Sequence, residues 1–265
     1  MWSLMGLVPS ARQASVINCS TDARSASLNC RLTSNDRTPR GYLRAVAKPR
    51  TPAGRAKEVA RRLAELYPGA ECELTHSNAY ELLSATILSA QCTDARVNMV
   101  TPSLFARYPQ VEDLAAANPA ELEQIIRSTG FYQSKARNLI GMAQKVVADF
   151  AGEIPSDLDD LVTLPGVGRK TGNVLRSVVF DLPGLAVDTH VGRLSRRLGL
   201  TVEEDPVKVE KVLNEFLPPP EWGRFSLRLI LHGRRVCDAK KPKCDICELN
   251  DICPSSALPT RSQKK

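Results

Sequence analysis

Three groups of residues in this chain could do chemistry. Cys237, Cys244, Cys247 and Cys253 fall in the pattern C-x6-C-x2-C-x5-C. Four thiolates this close make a metal site. Paired CxxC units of the zinc-ribbon type do not fit, because only one CxxC is present, whereas four thiolates can hold a 4Fe–4S cluster. Lys240, Lys241 and Lys243 lie in the first intercysteine loop. They offset the thiolate charge and would become a basic surface held in place by the metal. That surface reads as structural and DNA-docking, with a redox role left open.

The second group is Leu164-Pro-Gly-Val-Gly-Arg-Lys-Thr-Gly172. Gly166 and Gly168 allow positive φ and close approach of a ligand to the backbone. A helix starting near Gly168 would aim free N–H groups and its positive end at the turn, which suits a DNA phosphate. Gly-x-Gly alone more often marks an ordinary tight turn. The preceding Leu-Pro and the following Arg169-Lys170-Thr171 strengthen the anion-site reading. Lys170 would sit in the first helical turn. A lysine with pKa ~10.4 is neutral in about one molecule per thousand near pH 7.4. A helix N-terminus and burial in a cleft both disfavour the ammonium, so the position suits a nucleophilic amine. From spacing alone, a phosphate-neutralising role is equally good.

Asp188, in Ala186-Val-Asp-Thr-His-Val-Gly-Arg193, follows a Leu-Pro-Gly turn and falls where a new helix begins. It is a good N-cap, and also a carboxylate that could face the Lys170 amine, accept a proton or stabilise a positive sugar. The two roles are compatible. His190 reads as a structural hydrogen-bonding group.

The elements that must position these residues are helices. Thr51-Pro52, Asn78 with Glu81, Asn118-Pro119 with Glu121, Ser156 with Asp159, and Asp205-Pro206 are capping patterns. Apolar residues at helical spacing follow most of them, as in Val59, Leu63 and Leu66, or Leu139, Met142, Val146 and Phe150. Further helices are expected over 135–150 and 221–236. No sustained two-residue alternation occurs, so the expected class is all-α.

Composition narrows the partners. Of 265 residues, 43% are hydrophobic and 25% charged, which excludes a mostly disordered chain. No apolar run approaches the ~18 residues of a membrane span. Aromatics at 5% argue against broad base-stacking platforms. The net charge of +7 points to an anionic partner, nucleic acid first. Residues 1–50 carry +6 of it, residues 110–160 carry −5, and residues 224–243 carry +6. Acidic and basic faces so separated suit a polyanion on one side. Residues 1–50, rich in Ser, Arg and Thr, read as a disordered basic tail or the product of a start codon placed too far upstream, with an organelle-targeting peptide or a DNA-clamping arm as the other readings. Cysteine usage without a convincing signal peptide points to a reducing, intracellular compartment.

Taken in order, Leu88-Ser-Ala-Gln-Cys-Thr-Asp94, Leu164 to Thr171, Val187-Asp-Thr-His190 and the four-cysteine loop resemble the endonuclease III family of helix–hairpin–helix DNA glycosylases, over about residues 52–255. The resemblance implies two helical domains flanking a DNA cleft. One is a six-helix domain with the hairpin, 72–183. The other is an iron–sulfur domain made of 51–71 plus 184–258, with 259–265 as a short tail. It further implies that Lys170 is the nucleophile, Asp188 its partner and the four cysteines the ligands of 4Fe–4S. Gln91 would fill the gap left by an extruded nucleotide, and Phe131 would wedge into the duplex. Gly166, Gly168, Arg169, Lys240, Lys241 and Lys243 would touch DNA.

The implied activity is base-excision repair. A bifunctional N-glycosylase would remove oxidised pyrimidines and cut by β-elimination at the abasic site. The expected partner is double-stranded DNA with damaged pyrimidines or abasic sites. The expected protein is a monomer in a bacterial cytoplasm, associated with the nucleoid. Three positions depart from the family pattern: Phe131 is aromatic where bacterial members are aliphatic, Gly172 replaces a common Ala at a loss of helix propensity, and Cys92 replaces a small or hydroxyl residue. The adenine glycosylase of the same superfamily fits less well, because it lacks a lysine at the hairpin and carries a further C-terminal domain. Here the chain ends twelve residues after Cys253. A non-catalytic iron–sulfur DNA-binding module would need Lys170 to serve only as a phosphate contact.

Overall fold

Eleven α-helices and three short 3-10 turns account for the regular structure of residues 49–258, the part that the computed structural model describes. No strand occurs among the described residues, as an all-α chain requires. The readings of residues 1–50 and 259–265 fall outside the described residues, apart from positions 49 and 50. No helix among the described residues is long and apolar enough to cross a membrane.

Local chemistry explains most helix starts. Helix α1 (Pro52–Leu66) opens on Thr51, whose hydroxyl accepts from Gly54 N. Helix α2 (Ala79–Leu88) opens on Asn78, which accepts from Glu81 N at 2.9 Å. Helices α5 (Pro119–Ile126) and α10 (Pro206–Phe216) each combine an Asn or Asp cap with proline at N1. The short α7 (Leu158–Leu161) is capped by Asp157, not Ser156: its carboxylate takes the Asp159 N–H at 2.8 Å. Two helices were not anticipated, α3 (Asp94–Arg107) and α4 (Val111–Ala115). Pro102 lies inside α3 and masks its helical signal, yet Val97, Val100, Thr101 and Leu104 form its buried stripe. The remaining helices are α6 (Tyr132–Phe150), α8 (Arg169–Val178), α9 (Thr189–Arg197) and α11 (Trp222–Arg235).

Apolar side chains collect into two clusters. The first draws on α2 to α8, from Leu74 to Leu175, with Cys72 and Phe180 packed against it. The second joins Ala56, Val59 and Leu63 of α1 to residues from Leu185 to Ile252. Helix α8 crosses toward the second cluster through Asn173, whose side-chain amide donates to Leu185 O at 3.0 Å. Gly184 lets that crossing close: a Cβ there would lie 2.4 Å from Asn173 O. Gly172 is likewise more than a lost alanine. Its Cβ would meet Leu158 Cδ1 at 2.6 Å, so an alanine there would require the Leu158 side chain on α7 to shift.

Candidate active site and thiol cluster

The hairpin between α7 and α8 is built on two buried anchors, Leu164 and Val167, with Val167 N donating to Leu164 O at 3.0 Å. Its glycines serve different ends. Gly166 has φ +79°, and a Cβ would lie 2.9 Å from Asn138 Cβ, so the turn itself demands it. Gly168 does not use positive φ, contrary to expectation. It is extended (φ −98°, ψ 174°), and a Cβ there would meet nothing within 4 Å. Gly168 is the N-cap of α8 and supplies no side-chain cap to the helix's first-turn N–H groups. Helix α8 therefore presents an uncapped positive end beside open space.

Lys170 is the second residue of α8, and Asp188 is the N-cap of α9. Asp188 Oδ1 accepts from Val191 N at 2.8 Å, so capping takes one carboxylate oxygen and leaves Oδ2. Both residues line two adjoining cavities. One is an open groove of about 480 Å³, bordered by Gly192, Arg193, Arg196 and Glu204. The other, about 100 Å³, runs between the two apolar clusters past Glu73, Thr86, Ser89, Asp94 and Arg234. Lys170 is exposed and Asp188 half-buried. The burial anticipated for the Lys170 amine is thus absent from the protein alone.

Charged groups frame the smaller cavity. Arg234 at the end of α11 pairs with Glu73 and, at 2.9 Å, with Asp94. These pairs tie α11 to the far wall, a link the sequence did not reveal. His190 is the structural group expected: Arg193 donates to its Nδ1 at 3.1 Å, and Arg193 also bonds Gly233 O and Cys237 O. Burial lowers the His190 pKa, while the Asp188 carboxylate opposes that shift.

Gln91 and Phe131 are both exposed and both left-handed, with φ +53° and +47°. Phe131 follows Gly130, also at positive φ, and is 67% exposed. A bulky residue in that region carries strain of about 1–3 kcal/mol, as Ala151 and Asp181 at similar φ also do to a lesser degree. Arg169 already has a partner within the protein. Its guanidinium grips the Glu210 carboxylate on α10 through two hydrogen bonds of 2.7 and 2.8 Å. The arginine side chain nevertheless remains 42% exposed.

The four cysteines line one cavity together with Arg197, His232 and Pro242. Arg197 donates to Cys237 Sγ at 3.4 Å, and His232 Nε2 lies 3.4 Å from Cys247 Sγ. Burial, reinforced by the other three thiols, pushes Cys247 up to about 11. Burial keeps the Cys247 and Cys253 thiols protonated, and a bound metal would have to displace their protons. No three His, Cys, Asp or Glu side chains among the described residues converge on a single-ion centre. Four thiols around one cavity are a donor set that an iron–sulfur cluster takes. Lys240, Lys241 and Lys243 are exposed beside it. The Lys240 and Lys241 N–H groups are held by Asp238, and the Lys243 ammonium bonds Arg235 O at the end of α11.

Comparison with known proteins agrees with this geometry. Residues 84–219 match the model of the HhH-GPD superfamily of base excision DNA repair proteins. Residues 237–253 match the iron–sulfur binding domain of endonuclease III. The chain is 51% identical to endonuclease III of Synechocystis over 203 residues, which covers 76% of this chain and 93% of that protein. It is 48% identical to endonuclease III of Bacillus subtilis, covering 72% of this chain and 88% of the relative. A solved non-covalent endonuclease III–DNA complex superposes with a TM-score of 0.74 at 44% identity, over 77% of this chain and 96% of that one. A trapped endonuclease III–DNA covalent intermediate gives the same values.

Proposed function

The chain belongs to the endonuclease III family, and from that premise we propose that it excises oxidised pyrimidines from duplex DNA and cuts the strand at the resulting abasic site. It is a DNA glycosylase and AP lyase of the base-excision repair class, and it carries a 4Fe–4S cluster. One observation carries the finer reading: Lys170 and Asp188, delivered by the N-termini of different helices, border the same two cavities.

A nucleotide inside the stack is out of reach, so it must be extruded. A damaged pyrimidine that pairs poorly lowers that cost. Phosphate contacts to the first-turn N–H groups of α8 hold the strand, and the bare Gly168 leaves room for it. Once DNA covers the groove, water is expelled from around the exposed Lys170 amine. The Lys170 nitrogen then forms a bond to C1′ while the C1′–N bond to the base breaks. The leaving base takes the electron pair and a proton. Asp188 Oδ2 stabilises the positive sugar or accepts the amine proton. The nitrogen lone pair then opens the sugar ring: C1′–O4′ breaks, O4′ takes the electron pair and a proton, and the iminium so formed acidifies the C2′ proton, whose removal expels the 3′ phosphate in β-elimination. Gln91 and Phe131 occupy the duplex around the vacated position.

We assign Cys237, Cys244, Cys247 and Cys253 as the cluster ligands. When bound, the cluster cross-links the loop that displays Lys240, Lys241 and Lys243 toward DNA. The division of the apolar residues into two clusters supports two domains, 72–183 and 51–71 plus 184–258.

Borohydride trapping on abasic duplex DNA tests the lysine. Wild type should give a covalent adduct and Lys170→Ala none. An adduct that persists undiminished in Lys170→Ala would remove Lys170 as the nucleophile. Turnover on a panel of single-lesion duplexes tests the preference for oxidised pyrimidines, and equal rates on undamaged thymine would overturn it.

A further inference from the structure

Lys135 has no part in the chemistry above, yet it is a buried cation, only 4% exposed. It lies in the first turns of α6, near the positive end of that helix, where an ammonium is disfavoured. Burial lowers its pKa further. A methionine of similar length would fill the space at less cost. What the ammonium obtains in return is specific. Its Nζ donates to Leu88 O at 2.8 Å and to Thr129 O at 2.7 Å. Leu88 is the last residue of α2, so its carbonyl is one of the helix's orphan acceptors. Thr129 ends the 3-10 turn Arg127–Thr129, and its own hydroxyl is tied back to Ile126 O.

Each of these carbonyls stands a few residues before one of the two strained, exposed positions. Three residues after Leu88 comes Gln91, and two after Thr129 comes Phe131, both left-handed. The segments are otherwise remote in sequence, and a single ammonium bridges them. No carboxylate pairs with Lys135 among the described residues, so its charge is spent on the two carbonyls.

We propose that Lys135 is a positioning residue: it locks the Gln91 turn to the Phe131 turn, so that both side chains enter the duplex at a fixed separation when a nucleotide is extruded. The inference rests on the reading of Gln91 and Phe131 as the inserted residues, and it adds that they act as one preset unit. Holding them in place before binding removes the ordering cost from the extrusion step. The chemistry at Lys170 should not depend on it.

Lys135→Met tests this on two substrates. A duplex with a single lesion requires extrusion, whereas an abasic site in a single strand does not. On the duplex, kcat/KM should fall between about tenfold and a hundredfold, the scale expected of misplaced groups. Borohydride trapping on the single strand should match wild type. Gln91→Ala and Phe131→Ala should also slow the duplex reaction. Lys135→Met combined with Phe131→Ala should lose less than the product of the single losses, because the groups act together. If Gln91→Ala and Phe131→Ala leave the duplex reaction intact, the reading of the inserted residues fails. If those variants lose activity and Lys135→Met does not, or if Lys135→Met slows both substrates equally, the lock is overturned and that reading stands. Should the methionine variant not fold, Lys135→Gln, whose shorter amide reaches one carbonyl but not both, is measured in the same way.

Discussion

Replacing Arg169 by alanine separates two roles that this residue could have. Its side chain is 42% exposed, but the Glu210 carboxylate that it grips is only 6% exposed. Breaking a fully buried pair costs 3–5 kcal/mol, and an exposed one about 0.2–1 kcal/mol. This pair lies between, because solvent screens the arginine side while the carboxylate is stranded when its partner goes. Arg169→Ala should therefore cost about 2 kcal/mol, or roughly 4–8 °C in melting temperature for a body of this size. Glu210→Ala should cost under about 1 kcal/mol, because the exposed guanidinium can rehydrate. The combination Arg169→Met with Glu210→Leu should recover much of the loss. Melting curves on the cluster-loaded protein give these values. Binding to abasic-analogue duplex over a salt series gives the rest: the slope of log K against log salt should hardly change in Arg169→Ala. A true phosphate contact would reduce that slope by about 0.9. An undisturbed melting temperature with a reduced slope would refute the ion-pair assignment, as would equal costs for the two single substitutions.

The basic loop should behave in the opposite way. Changing Lys240, Lys241 and Lys243 together to glutamine should shallow the salt slope by up to about 2.7, and an unchanged slope would remove the loop from the DNA interface. Acid stability should report Glu58, which hydrogen bonds from Arg61 and Arg62 hold down to about 2. Its folded pKa lies below its usual value, so its contribution is present at neutral pH and is lost as pH falls from 4.5 toward 2. Denaturant melts across that window should show a smaller decline in Glu58→Gln, and an identical decline would exclude the residue. Gly184→Ala should destabilise by about 2–3 kcal/mol, since its Cβ would strike the Asn173 backbone oxygen; a variant as stable as wild type would mean that α8 can shift.

What could be read from the sequence alone was the local chemistry. A cap, a proline at N1, a glycine bend and the spacing of four thiols act within a few residues, and each leaves a pattern in the chain. The hairpin, the start of α9 at Asp188 and the cysteine cluster were legible for that reason. Alternative capping acceptors a residue apart blurred the finer detail, as with Asp157 displacing Ser156, and Pro102 concealed α3. Tertiary structure decided whatever depends on which helices meet. Arg169 carries the same charge whatever it faces, and only the fold brings Glu210 of α10 within its reach. A lysine in an amphipathic helix reads as solvated until folding buries Lys135 against two helix ends. Lys170 shows the converse: its helical position could be foreseen, but its exposure depends on how open the groove stands before DNA arrives. Charge and local geometry are properties of the residue, whereas partners and solvent are set by chain segments far away in sequence.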